Sequence, residues 1–139
     1  MTITQQWADA FAREWMEAWN ARDLERVLYH YTDDFEMSSP FITQLTGEAS
    51  GTLKGKEQVF AYWKTALEKF PDLRFHLEGV FAGASSIVIH YRASFGSMAT
   101  EILFFNSAGL VYRAAAHYQT IPTPSGAGSI PLASLPSQN

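Results

Sequence analysis

With 139 residues, 47% of them hydrophobic and 14% aromatic, the chain suits one domain whose core needs neither disulfide nor structural metal. A formal charge of −4 and the lack of any basic run exclude binding by phosphate neutralisation, so nucleic acid is not an expected partner. The absence of cysteine excludes thiol chemistry, and the polar start and lack of a long apolar run predict no signal peptide, no membrane association and a cytoplasmic location.

Trp7, Phe11, Trp15, Ala18 and Trp19 recur at helical spacing and predict an aromatic-striped helix over Thr4 to Asn20. Asp23 is placed to cap a second, short helix whose Leu24, Val27, Leu28 and Tyr31 share a face. Alternation from Asp33 to Phe41, ending at Pro40, predicts a short edge strand, and the Gly, Thr and Ser-rich stretch from Thr43 to Gly55 a loop over a pocket mouth. Gly55 then opens a third helix carrying Phe60, Trp63, Leu67 and Phe70, which Pro71 stops.

From Asp72 the period changes to two, and strands are predicted at Leu73–Phe81, Ile87–Ser94, Ala99–Phe105 and Leu110–Gln119, an antiparallel meander. The fold class expected is therefore α+β: a curved, cone-shaped antiparallel sheet of one short strand plus a four-stranded meander, packed against three N-terminal helices. Residues 1–120 form the domain in this reading. Residues 121–139, rich in Pro, Ser and Gly, form a mobile tail. Outward apolar positions such as Ile102 and Phe104 predict a homodimer through the outer sheet face.

The order of these elements resembles the nuclear transport factor 2-like superfamily over nearly all of residues 5–119. Local stretches carry the likeness: Trp19 to Leu24 at the turn between the first helices, Tyr31 to Phe35 at the start of the first strand, Gly55 to Glu57, Pro71 to Phe75, and Asn106 to Val111 at the last hairpin. Within it the chain is most similar to the SnoaL-like polyketide cyclase and ketosteroid isomerase branches, whose pockets hold apolar, often polycyclic molecules. The resemblance puts Trp15 in the place of the isomerases' tyrosine, Ser39 in the place of their base, and Glu101 in the place of their buried acid. It puts Ala116 where cyclases carry an acid after an arginine, here Arg113. The missing base and the missing second acid favour a small-molecule-binding domain with no assignable reaction. The alternative is an isomerase, cyclase or hydrolase acting on an apolar carbonyl or hydroxyl compound through Glu101.

Pairing arithmetic independent of the resemblance sets His90 opposite Glu101 if the hairpin turns at Phe95-Gly96, with Arg92 next on the same face. Turning the following hairpin at Asn106 to Gly109 pairs Glu101 with Ala114 and puts Leu103, Tyr112, Ala114, Ala116 and Tyr118 on the Glu101 face. Glu101 and His90 are thus the candidate acid and its proton partner. Trp15, Trp19, Phe60, Trp63, Arg92, Leu103, Tyr112, Ala116 and Tyr118 are the candidate ligand contacts to an apolar small molecule. A structural polar cluster or an outward salt bridge is the competing reading of Glu101, His90 and Arg92. No histidine pair has ligand spacing with a closing carboxylate, so neither a metal nor another cofactor is expected.

Overall fold

The computed structural model describes residues 1–94 and 96–119; the assignment of 121–139 as a tail lies outside them. Helix α1 (Gln5–Asn20) starts where the Thr4 hydroxyl accepts from Trp7 N at 3.1 Å, and α2 (Leu24–Leu28) starts where Asp23 accepts from Arg26 N at 3.1 Å. Between them Arg22 adopts a positive φ of 59°, and its guanidinium donates to the Phe70 and Pro71 carbonyls. The corner after α1 is thereby tied to the end of the last helix.

The chain continues through β1 (Tyr31–Ser38), α3 (Pro40–Thr46), β2 (Thr52–Lys54), α4 (Lys56–Lys69), β3 (Phe75–Ala82), β4 (Ser86–Ala93), β5 (Met98–Phe105) and β6 (Val111–Tyr118). The α+β class and the curved sheet stand, with two differences. The segment read as a loop contains a fourth helix, α3, and a strand, β2: Ser39 caps α3, Pro40 fills its first position, and Gly47 at φ 80° ends it. The sheet order is β2-β1-β6-β5-β4-β3, and β1 is an eight-residue strand that pairs with β6 in parallel, so the sheet is mixed.

Two hairpins depart from the expected register. Ala93 N donates to Ser97 O at 2.9 Å, so the β4–β5 loop holds three residues rather than two, and Gly96 takes φ 85° within it. Changing the loop by one residue exchanges the faces of the strand before it relative to the strand after it. Ile89, not His90, therefore lies opposite Glu101, while His90 pairs with Thr100 and Arg92 with Met98.

In the β5–β6 hairpin Glu101 pairs with Ala116 and Leu103 with Ala114. The pairing jumps from Phe104–Arg113 to Phe105–Val111, which leaves Tyr112 as the extra residue of a bulge. Ala114 and Ala116 keep their expected inward direction. Tyr112 does not: it is 45% exposed, on the outer side, and Val111 is buried in its stead.

The core fills the space between the concave face and the helices. Trp15 stacks on Phe75 at 5.9 Å between ring centres and leans on Tyr91 at 5.6 Å, and Trp63 meets Trp19 edge-on at 4.8 Å. Aromatic burial of this kind holds α1 and α4 against the sheet and leaves room only where side chains fail to meet. No helix of the described residues is long and apolar enough to cross a membrane.

Candidate functional site

A cavity of about 70 Å³ opens between the concave sheet face and helices α1, α3 and α4. Its walls include Trp15 and Trp19 from α1, Phe41 and Leu45 from α3, Tyr62, Trp63 and Leu67 from α4, and Phe70 just past its end. The strands add Met37, Phe75, Tyr91, Glu101 and Tyr118. This is narrower than the few hundred Å³ that enclose a drug-sized molecule, so the cavity as it stands takes a compact ligand. A polycyclic one requires the aromatic walls to move.

Glu101 supplies the one carboxyl of the wall. It is only 4% exposed, because β5 turns it inward between the small residues Ala99 and Ala116. Burial pushes its carboxyl up to about 8, since the ionised form loses its water and no cation approaches it in compensation. At neutral pH it is mostly the neutral acid, able both to donate and to accept a hydrogen bond.

Around it stand four phenols, each of which feels the Glu101 charge: Tyr31 from β1, Tyr62 from α4, Tyr91 from β4 and Tyr118 from β6. Burial is the main cause that raises all four, Tyr62 to about 12, and the neighbouring carboxyl adds to it. Trp15 Nε1 donates to Tyr31 Oη at 3.0 Å. Tyr118 influences the titration of Tyr91, and the buried Ser39 hydroxyl that of Tyr62 and Tyr118, so these groups lie near one another around the acid. The Ser39 hydroxyl accepts from Phe41 N at 3.2 Å and so caps α3.

Of the residues expected at the site, Glu101, Trp15, Trp19, Trp63 and Tyr118 converge on the cavity. Leu103 and Ala116 are buried on the same face without lining it. His90 and Arg92 do not reach it. The three-residue β4–β5 loop turns both to the outer face, where His90 borders a shallow depression with Thr100 and His117, and Arg92 pairs with Glu78 at 3.2 Å. Tyr112 is turned out by its bulge, and Phe60 lies on the far side of α4, in an open groove with Leu24 and Arg22.

Tyr31, Tyr62 and Tyr91 lie beyond the expected set, while Ser39 stands near the site where the resemblance puts it but caps α3. Tyr91 lies on the concave face because the β4–β5 register differs by one residue from the one that would put His90 there. Tyr62 could have been found from the spacing of Val59, Tyr62, Trp63 and Ala66, a second apolar stripe on α4 adjoining the one chosen. Among the described residues no cluster of three or more His, Asp or Glu could hold a metal ion.

A family model for the SnoaL-like domain matches residues 12–121. Among solved structures, a SnoaL-like protein of unknown function from Burkholderia thailandensis is 51% identical, covers 86% of this chain and 100% of its own, and superposes with a TM-score of 0.82. A proposed isomerase of the SnoaL-like family from Agrobacterium tumefaciens is 19% identical over 81% of this chain and 97% of its own, with a TM-score of 0.65. AclR, a proposed hydroxylase from Streptomyces galilaeus, is 16% identical over 84% of this chain and 91% of its own, also with a TM-score of 0.65. These last two share the fold. No curated protein matches the chain.

Proposed function

The chain belongs to the SnoaL-like domain family, and from that premise we propose that its cavity binds a small organic molecule, with Glu101 receiving the molecule's polar group and the aromatic wall its apolar remainder. The observation that carries this reading is a buried carboxyl on the wall of an otherwise apolar cavity. Burying an ionisable group without a partner is costly, and contact with a ligand is what such a placement serves.

Cyclohexanone, a compact carbonyl compound, is a suitable probe because tryptophans 15, 19 and 63 all line the cavity and report its occupancy by fluorescence. Replacing Glu101 with Ala should weaken binding by about 1–3 kcal/mol, the range for losing a buried hydrogen-bond partner. Unchanged affinity in Glu101→Ala would remove Glu101 from the ligand contact.

A catalytic reading has one observation in its favour, a carboxyl that titrates near neutrality and so can both release and take up a proton. The cavity wall offers no second carboxylate, and the Ser39 hydroxyl is used to cap α3. Any proton transfer therefore falls to Glu101 alone. Deuterium exchange at the α-carbons of cyclohexanone should then be accelerated by the protein, with a pH inflection near 8 that Glu101→Gln abolishes. A rate equal to that of buffer excludes this reading.

We also propose that the outer sheet face joins two copies. Half-buried Ile102 and Phe104 lie there beside exposed Tyr112, and Arg113 sits over the Phe104 ring at 5.2 Å. Sedimentation at micromolar concentration is expected to give about twice the chain mass of 15.5 kDa. A concentration-independent monomer, or a Phe104→Glu variant that sediments like the wild type, argues against it. We place the protein in the cytoplasm, which suits a chain with no cysteine; a periplasmic or extracellular signal on cell fractionation overturns that placement.

A further inference from the structure

The chemistry of the cavity wall goes further than the presence of a polar group in the ligand. Nine of its sixteen lining residues are aromatic, and among the described residues that line it there is no Lys, Arg or His. Its single charge-bearing group is the acid of Glu101. An anionic ligand finds no counter-charge here and meets a carboxyl that resists a second negative charge.

A neutral ligand is compatible with the space but makes no use of an ionisable group, since an amide or hydroxyl would receive its carbonyl or alcohol at smaller cost. Aromatic rings present a negative face that aliphatic side chains lack, and that face attracts a desolvated cation. A carboxylate beside such rings supplies the full charge that a buried cation requires.

We propose that the polar group of the ligand is a small organic ammonium cation, held between the Glu101 carboxylate and the surrounding aromatic wall. This rests on the reading of the cavity as a ligand site. The groups that face Glu101 are the phenols of Tyr31, Tyr62, Tyr91 and Tyr118, from β1, α4, β4 and β6, all with their titration raised away from neutral pH. Glu101 is therefore the group that changes charge near neutrality when a cation arrives. Its proton passes to the buffer, and the ion pair forms in its place.

Two isosteric probes test this: tert-butylammonium and tert-butyl alcohol, which differ in charge and hardly in shape. Binding is followed through the indole N–H signals of Trp15, Trp19 and Trp63 and by calorimetry in two buffers of different ionisation enthalpy. The ammonium should bind at least about tenfold more tightly at pH 8, and release close to one proton per site at pH 7. Its affinity should rise steeply from pH 6 to 8, because aliphatic amines stay protonated throughout that range. Affinity for the alcohol should not rise. In Glu101→Gln the preference for the ammonium and the proton release should both vanish.

Equal or tighter binding of the alcohol overturns the cation assignment and leaves the ligand-site reading intact, as does an ammonium preference that survives in Glu101→Gln. If neither probe nor cyclohexanone perturbs the cavity indoles, both readings fall together. The comparison of the two probes on the unaltered protein stands whether or not the variant folds.

Discussion

Replacing Glu101 with Gln should stabilise the protein at pH 8 by several kcal/mol while changing its stability little at pH 4. In the unfolded chain a glutamate titrates near 4.5, whereas in the fold burial raises Glu101 to about 8. The folded state therefore holds a proton that the unfolded state has released over that window, and stability falls as pH rises from about 4.5 to about 8. Below the window both states are protonated and the acid costs nothing extra; above it the loss is complete. Each unit of displacement corresponds to about 1.4 kcal/mol, which gives on the order of 3 kcal/mol at pH 7 and somewhat more at pH 8. Gln is nearly isosteric and does not titrate, so its denaturation midpoint should stay flat across the window. Urea unfolding of both proteins at pH 4, 6 and 8 makes the comparison. Parallel curves at all three pH values mean that Glu101 is better solvated than its position in the wall implies.

Phe35→Ala should cost about 3–5 kcal/mol, the range for emptying a fully buried aromatic site. Phe35 is fully buried on β1, 4.6 Å between ring centres from Tyr31 and 6.0 Å from Trp63. Its removal leaves a void beneath two rings that hold up the cavity, one of which receives the Trp15 hydrogen bond. Phe60, half-buried on the outer side of α4, offers the contrast: Phe60→Ala should cost clearly less, because the side chain faces an open groove where water and neighbours can close in. Denaturant unfolding checks both. If the two losses match, the assignment of the α4 faces is wrong.

The two predictions act on the same pocket through different physics. Glu101 weakens the fold in return for a chemical handle, a trade common where an active or binding group is held away from water. Phe35 contributes only packing, and the rigidity it lends to Tyr31 and Trp63 keeps the handle in a defined place.

Local pattern was enough to find most of the elements. The aromatic stripe of α1, the cap at Asp23, the stop at Pro71 and the four strands of the meander follow from period and punctuation, which depend on neighbours in the chain. The same local information turned Glu101 inward with Leu103, Ala114 and Ala116, since alternation along a strand survives a register shift of two. Ser39-Pro40 carried a legible start for α3 that strand-like alternation masked. What the sequence did not determine was the partner across each hairpin and the place of β1. A three-residue β4–β5 loop exchanged His90 and Arg92 for Tyr91 and Ile89 on the concave face, a bulge turned Tyr112 out, and β1 joined β6 in parallel from the other end of the chain. Loop parity and long-range pairing are settled by the total burial they achieve, not by any one segment. The convergence of four tyrosines on one buried acid was decided there, by the closing of the whole sheet around its core.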